Sequence, residues 1–92
     1  LACATAFDTL DEALARANAN PYGLAGYQFT DSARAIQAVT ERLEVGSLAI
    51  NGIGVSVPEA PFGGVKDSGW GSESGIEGME AFLESKFTHY TA

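Results

Sequence analysis

A chain of 92 residues makes one small domain or one part of a larger one, and buries only a modest share of its surface. Twelve acidic against five basic residues give a net charge of −7, which repels nucleic acid phosphates and anionic membranes and sets both aside as partners. The single cysteine, Cys3, excludes an internal disulfide and any cysteine metal cluster, and is in keeping with a reducing, cytoplasmic setting.

Residues 1–7 are apolar and read as a short strand, although alanine is a weak strand former. They lack a basic leader and are too short for a signal peptide. With no Met at position 1 and an opening inside an apolar run, the expectation is a fragment or a processed product. A helix follows. Thr9 and Glu12 have capping-box spacing, and Asp8 and Asp11 put negative charge at the positive end of the helix dipole. Leu10, Ala13, Leu14 and Ala17 form its apolar stripe, and Asn18, Asn20 and Pro21 end it.

Leu24 to Thr30 reads as the second strand, with Ala25, Tyr27 and Phe29 on one face and Leu24, Gly26 and Gln28 on the other. Asp31 or Ser32 caps the second helix. Its buried stripe is Ala35, Ile36, Val39 and Leu43, while Arg34, Gln37, Glu41 and Arg42 face water. Gly46 stops it. Ser47 to Ile50 is a short apolar run, consistent with a strand buried on both faces.

Residues 52–75 hold seven of the eleven glycines and show no period. A loop of that length inside a compact domain is usually functional. Ser74 and Glu77 then form a second capping box, followed by the stripe Ile76, Met79 and Leu83 with Phe82 on the flank. Residues 87–91 read as a terminal strand that has no partner inside the chain, an edge open to another chain. The order is β-α-β-α-β-loop-α-β, an α/β layered fold with some parallel pairing.

The chemistry-bearing residues are sparse. Cys3 sits in an apolar run without a base or cation beside it, and reads as a buried, inert thiol. His89 is the only histidine and falls in the terminal strand, so it reads as an interface or surface residue. Glu77, Glu80 and Glu84 fall on one side of the third helix, with Glu73 ahead of it, and read as a solvated face. The run 63–69 carries glycines and Lys66. It is not a Walker loop, because Asp67 follows the lysine and the glycine spacing differs. The glycines are interleaved with Phe62, Val65, Lys66 and Trp70, so the run is a shaped loop rather than a flexible linker.

Several motifs in order carry a resemblance. They are residues 8–13 (DTLDEA), 20–26 (NPYGLAG), 45–51 (VGSLAIN), 60–69 (APFGGVKDSG) and 78–86 (GMEAFLESK). Together they resemble the C-terminal segment of the aldehyde dehydrogenase superfamily. Residues 56–64 and 76–78 resemble its succinate-semialdehyde dehydrogenase branch most. The resemblance implies an NAD- or NADP-dependent oxidation of an aldehyde, succinate semialdehyde above all, through a cysteine thiohemiacetal and a thioester. It also implies what is missing. The nucleophilic cysteine, the general-base glutamate, the oxyanion asparagine and the dinucleotide-binding turn all belong upstream of Leu1, and Cys3 does not match the nucleophile. No catalytic, cofactor-binding or metal-binding residue is therefore expected in these 92 residues, and the segment alone is expected to be inactive.

What carries over lies on the substrate side. Phe62 matches the phenylalanine that walls the aldehyde tunnel, and Ser56 matches a serine that helps hold the distal carboxylate in the succinate-semialdehyde branch. A hydroxyl donates one hydrogen bond to a carboxylate but supplies no charge, so arginines from elsewhere would carry most of that binding. Without the resemblance, Phe62 is a plug that anchors the loop and Ser56 a solvated hydroxyl. The resemblance further divides the chain into 1–84, the end of the catalytic region with loop 52–75, and 85–92, an oligomerisation strand. Its subunit contacts would be Glu84, Phe87, His89 and Tyr90, in a dimer or tetramer with the rest of the polypeptide. One arginine that pairs with the matching glutamate in relatives stands where this chain has Ser72. The alternative reading is a stand-alone assembly or binding module that self-associates through its terminal strand.

Overall fold

The computed structural model describes all 92 residues. Helix α1 spans Leu10–Asn18, strand β1 Tyr22–Gly23, β2 Ala25–Gln28, helix α2 Ala33–Arg42, β3 Ser47–Ile50, β4 Val65–Lys66 and helix α3 Gly75–Glu80. The fold is mixed α/β, and its centre is the expected β2-α2-β3 unit.

Both long helices start where their side chains satisfy orphan N–H groups. The Thr9 hydroxyl accepts from the Glu12 N–H at 3.2 Å, and the Glu12 carboxylate accepts from the Asp8 N–H at 3.0 Å. The returning arm of this capping box thus lands one residue before the cap. For α2 the cap is Ser32, whose hydroxyl accepts from the Ala35 N–H at 3.3 Å. The α1 stripe buries Leu14, with Leu10 and Ala13 half-buried, whereas Ala17 is exposed. The α2 stripe buries Val39 and half-buries Ala35, Ile36 and Leu43, with Arg34, Gln37, Glu41 and Arg42 exposed as their spacing requires.

Strands β2 and β3 pair in parallel, Ala25 opposite Ser47 through Gln28 opposite Ile50. Asn51 closes the pair. Its amide donates to the Thr30 carbonyl and accepts from the Thr30 N–H, both at 2.8 Å, while its own φ is 54°. Asparagine is among the few residues that take this left-handed conformation readily. Only Ala49 of β3 is buried, so the strand is not covered on both faces. Tyr27 and Phe29 on β2 and its exit are exposed for the same reason.

The two outer strands of the sequence reading are not formed. Residues 1–7 and 87–91 carry no strand, because a strand needs a row of backbone partners and this chain offers none there. Arg16 holds the first segment instead, donating to the Thr5 hydroxyl at 3.1 Å and the Ala6 carbonyl at 3.0 Å. The second capping box also fails. Ser74 has φ 61° and makes no capping bond, and α3 stops at Glu80 before Phe82 and Leu83 join its stripe. A helix of six residues with nothing packed on its apolar side has little to hold it.

The surface reports the same shortage of partners. The accessible area is 7558 Å², against about 5,100 Å² for a compact monomer of 9.6 kDa. The radius of gyration is 17.9 Å, against about 12 Å for a compact chain of this length. Several apolar faces are therefore shaped for contact but uncovered.

Where the chain is tight, backbone meets backbone. A Cβ on Gly46 would overlap the carbonyl oxygen of Gly63, and one on Gly23 would overlap the carbonyl oxygen of Glu44. Gly46→Ala is expected to lower stability by about 1–3 kcal/mol, the usual cost of overpacking. Gly54→Ala, where nothing lies within 4 Å, serves as the control and should shift stability by less than about 0.5 kcal/mol. Thermal unfolding of the two variants checks the difference.

Candidate functional site

The glycine-rich loop is not loose. Its two ends are joined by a bridge between Phe62 and Glu73, with N–H···O distances of 2.7 and 2.8 Å in the two directions. Its middle holds β4, which pairs antiparallel with β1, Tyr22 opposite Lys66 and Gly23 opposite Val65. The Asp67 N–H donates to the Pro21 carbonyl at 2.9 Å, and the Gly23 N–H donates to the Ser68 hydroxyl at 2.8 Å. Residues 61–73 therefore form a closed frame docked on the turn 20–23.

Lys66 is the most heavily bonded side chain of that frame. Its ammonium donates to the Asn18 carbonyl at 2.9 Å and the Asn20 carbonyl at 3.0 Å, and pairs with Glu44 at 2.9 Å. The carbonyl of Asn18 is the last in α1, where the helix dipole favours a cation. The Asn18 side chain ties the same corner to α2, donating to the Arg42 carbonyl at 2.8 Å and accepting from the Glu44 N–H at 3.0 Å. Sequence reasoning missed both roles. The visible signals were a lysine inside a glycine run and a pair of asparagines at a helix end.

Phe62 is half-buried beside a shallow hollow of about 270 Å³, together with Leu24, Trp70, Ser72 and glycines of the frame. Ser56 is exposed on the preceding stretch of loop and does not line that hollow. Trp70 stands fully in solvent between two glycines at positive φ. A larger apolar groove of about 520 Å³ runs between α1, α2 and β2, past Leu10, Leu14, Tyr27, Phe29 and Val39.

The remaining expected site residues lie apart from the frame. Glu84, Phe87, His89 and Tyr90 are exposed on the tail, where His89 and Thr91 share a hydrogen bond of 2.9 Å. Cys3 is exposed rather than buried, because the strand that was to enclose it is not formed. Glu73, Glu77, Glu80 and Glu84 are all exposed, a solvated face.

The frame offers no phosphate cradle. A Cβ on Gly64 would meet Ser68 at 2.5 Å, and one on Gly63 would meet the Ser72 hydroxyl at 2.9 Å. Each glycine is packed against its own loop, and the next helix begins only at Gly75.

Comparison with known proteins agrees with this geometry. The model of the aldehyde dehydrogenase family matches residues 1–88. The chain belongs to that family. It is 78% identical over all its 92 residues to 4-(hydroxymethyl)benzenesulfonate dehydrogenase of Comamonas testosteroni, and covers 19% of that protein. It is 46% identical over 84 residues to the human mitochondrial succinate-semialdehyde dehydrogenase, covering 91% of this chain and 16% of that one. Among solved structures, an aldehyde dehydrogenase of Brucella melitensis superposes with a TM-score of 0.85 at 44% identity, covering 89% of this chain and 17% of the other. A betaine aldehyde dehydrogenase point mutant of Staphylococcus aureus, solved with NAD+, gives 0.83 at 42% identity, covering 87% of this chain and 16% of the other. The chain thus spans less than a fifth of the length of these relatives. No helix is long and apolar enough to cross a membrane.

Proposed function

We propose that these residues are the C-terminal segment of an NAD(P)-dependent aldehyde dehydrogenase, and that loop 52–75 forms the substrate side of its aldehyde tunnel. Two observations support this: the family match, and a Phe62 held half-buried by backbone bonds at the closed end of the loop. The aldehyde and water become a carboxylic acid while the dinucleotide accepts a hydride. Nucleophile, general base and dinucleotide site belong to the rest of the polypeptide, so the segment alone is inactive.

The substrate reading starts from succinate semialdehyde and is widened by the relatives. One is named for a benzenesulfonate carrying a hydroxymethyl group, another for succinate semialdehyde. Both molecules carry an oxyanion away from the carbon to be oxidised. We assign this protein an aldehyde with a distal sulfonate or carboxylate, the aromatic sulfonate first because of the 78% identity. Phe62 walls the path to the reacting carbon, and the exposed Ser56 hydroxyl donates to the distal anion.

The exposed tail supports assembly into a dimer or tetramer. Phe87 and Tyr90 are 90% and 84% exposed, and the backbone of 87–91 lacks strand partners. A second copy would supply both cover and pairing. Glu84 sits at the root of that tail.

The full-length enzyme is expected to reduce NAD+ or NADP+ with 4-formylbenzenesulfonate or succinate semialdehyde. Ser56→Ala should raise KM for these anionic aldehydes about ten- to a hundredfold, the worth of one hydrogen bond to a charged group, and leave KM for benzaldehyde unchanged. Failure of both anionic aldehydes to support cofactor reduction contradicts the reading. Tyr90→Pro removes a backbone donor from the tail and should shift the enzyme to smaller species on light scattering. An unchanged oligomer would count against the strand assignment.

A further inference from the structure

We propose that Lys66 is the positioning residue of aldehyde binding: its ammonium fastens the loop that carries Phe62 to the end of α1. This rests on the function proposed above for the loop. Lys66 touches neither substrate nor cofactor in this account. It acts through the frame.

The geometry is that of a filled clasp. An ammonium has three N–H donors, and three acceptors lie within 3.0 Å of this one: two backbone carbonyls and the Glu44 carboxylate. One carbonyl, of Asn18, ends α1; the other, of Asn20, lies in the turn that follows; the carboxylate belongs to the link between α2 and β3. One side chain therefore joins the loop to the end of α1 and to the link that follows α2. The side chain is only 24% exposed, so its bonds are screened less than those of a surface pair.

The backbone supports the same assignment. Lys66 has φ 55°, a left-handed conformation that is strained for a lysine, which lacks the short polar side chain that lets asparagine take it. Glycine would adopt it freely, and the loop uses glycine at four nearby positions, 63, 64, 69 and 71. A lysine here gives up that ease, and its three bonds offset the strain. The strand pairing alone is weak, since β4 has only two residues. Phe62 lies four residues away, fixed to Glu73 at the far side of the frame. Release of the ammonium would leave two carbonyls without their donor and Glu44 without its counter-charge, and would unhook the side of the frame that sets where Phe62 stands.

The test uses the full-length enzyme with Lys66→Met, Lys66→Gly and Glu44→Gln. Two readouts are taken: steady-state kinetics with the best aldehyde, and hydrogen exchange of the amides of residues 61–73. Lys66→Met is expected to raise KM about tenfold with kcat within about twofold, since displaced binding walls act on substrate placement. Exchange across 61–73 should quicken about tenfold while the amides of β2 and β3 keep their rates. Lys66→Gly relieves the φ strain but removes the ammonium, and should behave like Lys66→Met. A Lys66→Gly enzyme with wild-type KM and exchange overturns the proposal, as does a folded Lys66→Met enzyme with both unchanged. Should the Lys66 variants fail to fold, Glu44→Gln decides. It keeps an acceptor but drops the charge, and should quicken exchange in 61–73 about threefold, whereas wild-type exchange overturns the clasp. If the parent enzyme oxidises no aldehyde, the functional reading fails, and the exchange readout still judges the clasp.

Discussion

No side chain fits between Gly46 and the carbonyl of Gly63, and the arrangement of the chain depends on that contact. The chain enters β3 at this point, directly after α2. The glycine-rich loop approaches from the opposite direction of the sequence. Because both backbones are bare here, the loop comes close enough for β4 to pair with β1, for Ser68 to accept from Gly23, and for Lys66 to reach the end of α1. A methyl group would separate the two layers and loosen each of these bonds together. The glycines are thus the means by which a rigid loop is seated, and their number is no sign of flexibility.

The same docked frame sits inside a structure with large bare faces. Trp70, Phe82, Phe87 and Tyr90 are all at least 84% exposed, and the groove between α1 and α2 is apolar throughout much of its length. Contiguous bare apolar faces of that kind are the sort that mark contact surfaces. Local bonds are enough to build the frame and the β2-α2-β3 unit. They are not enough for α3 beyond Glu80 or for either terminal segment.

This division also decides what the residues disclosed. Helices α1 and α2 were legible because each carries its own cap and its own stripe: Thr9 with Glu12, Ser32 with Ala35. The pair β2 and β3 was legible because the helix between them demands parallel strands. Strands at 1–7 and 87–91 were expected from alternation and apolarity, which report a tendency to pair but not the presence of a partner. Ser74 and Glu77 had the spacing of a cap, yet Ser74, directly after the bridge from Glu73 to Phe62, stands at positive φ and its hydroxyl makes no capping bond. The clasp at Lys66 left only a lysine inside a glycine run as its signal, since two of its acceptors are backbone carbonyls 46 and 48 residues earlier in the chain. Phe62 and Ser56 were singled out by likeness to a family, and the loop geometry gives the first a fixed seat and leaves the second in the open.

The proposed function requires that a loop held by its own backbone present Phe62 to the aldehyde. The most direct measurement is a crystal structure of the full-length enzyme with 4-sulfobenzoate or succinate, its unreactive acid product, bound. The Phe62 ring is expected within about 4 Å of the bound acid, ordinary apolar contact, with Tyr22 still opposite Lys66 and the bridge to Glu73 intact. An acid bound away from Phe62, with the loop 61–73 turned from it, would contradict that role.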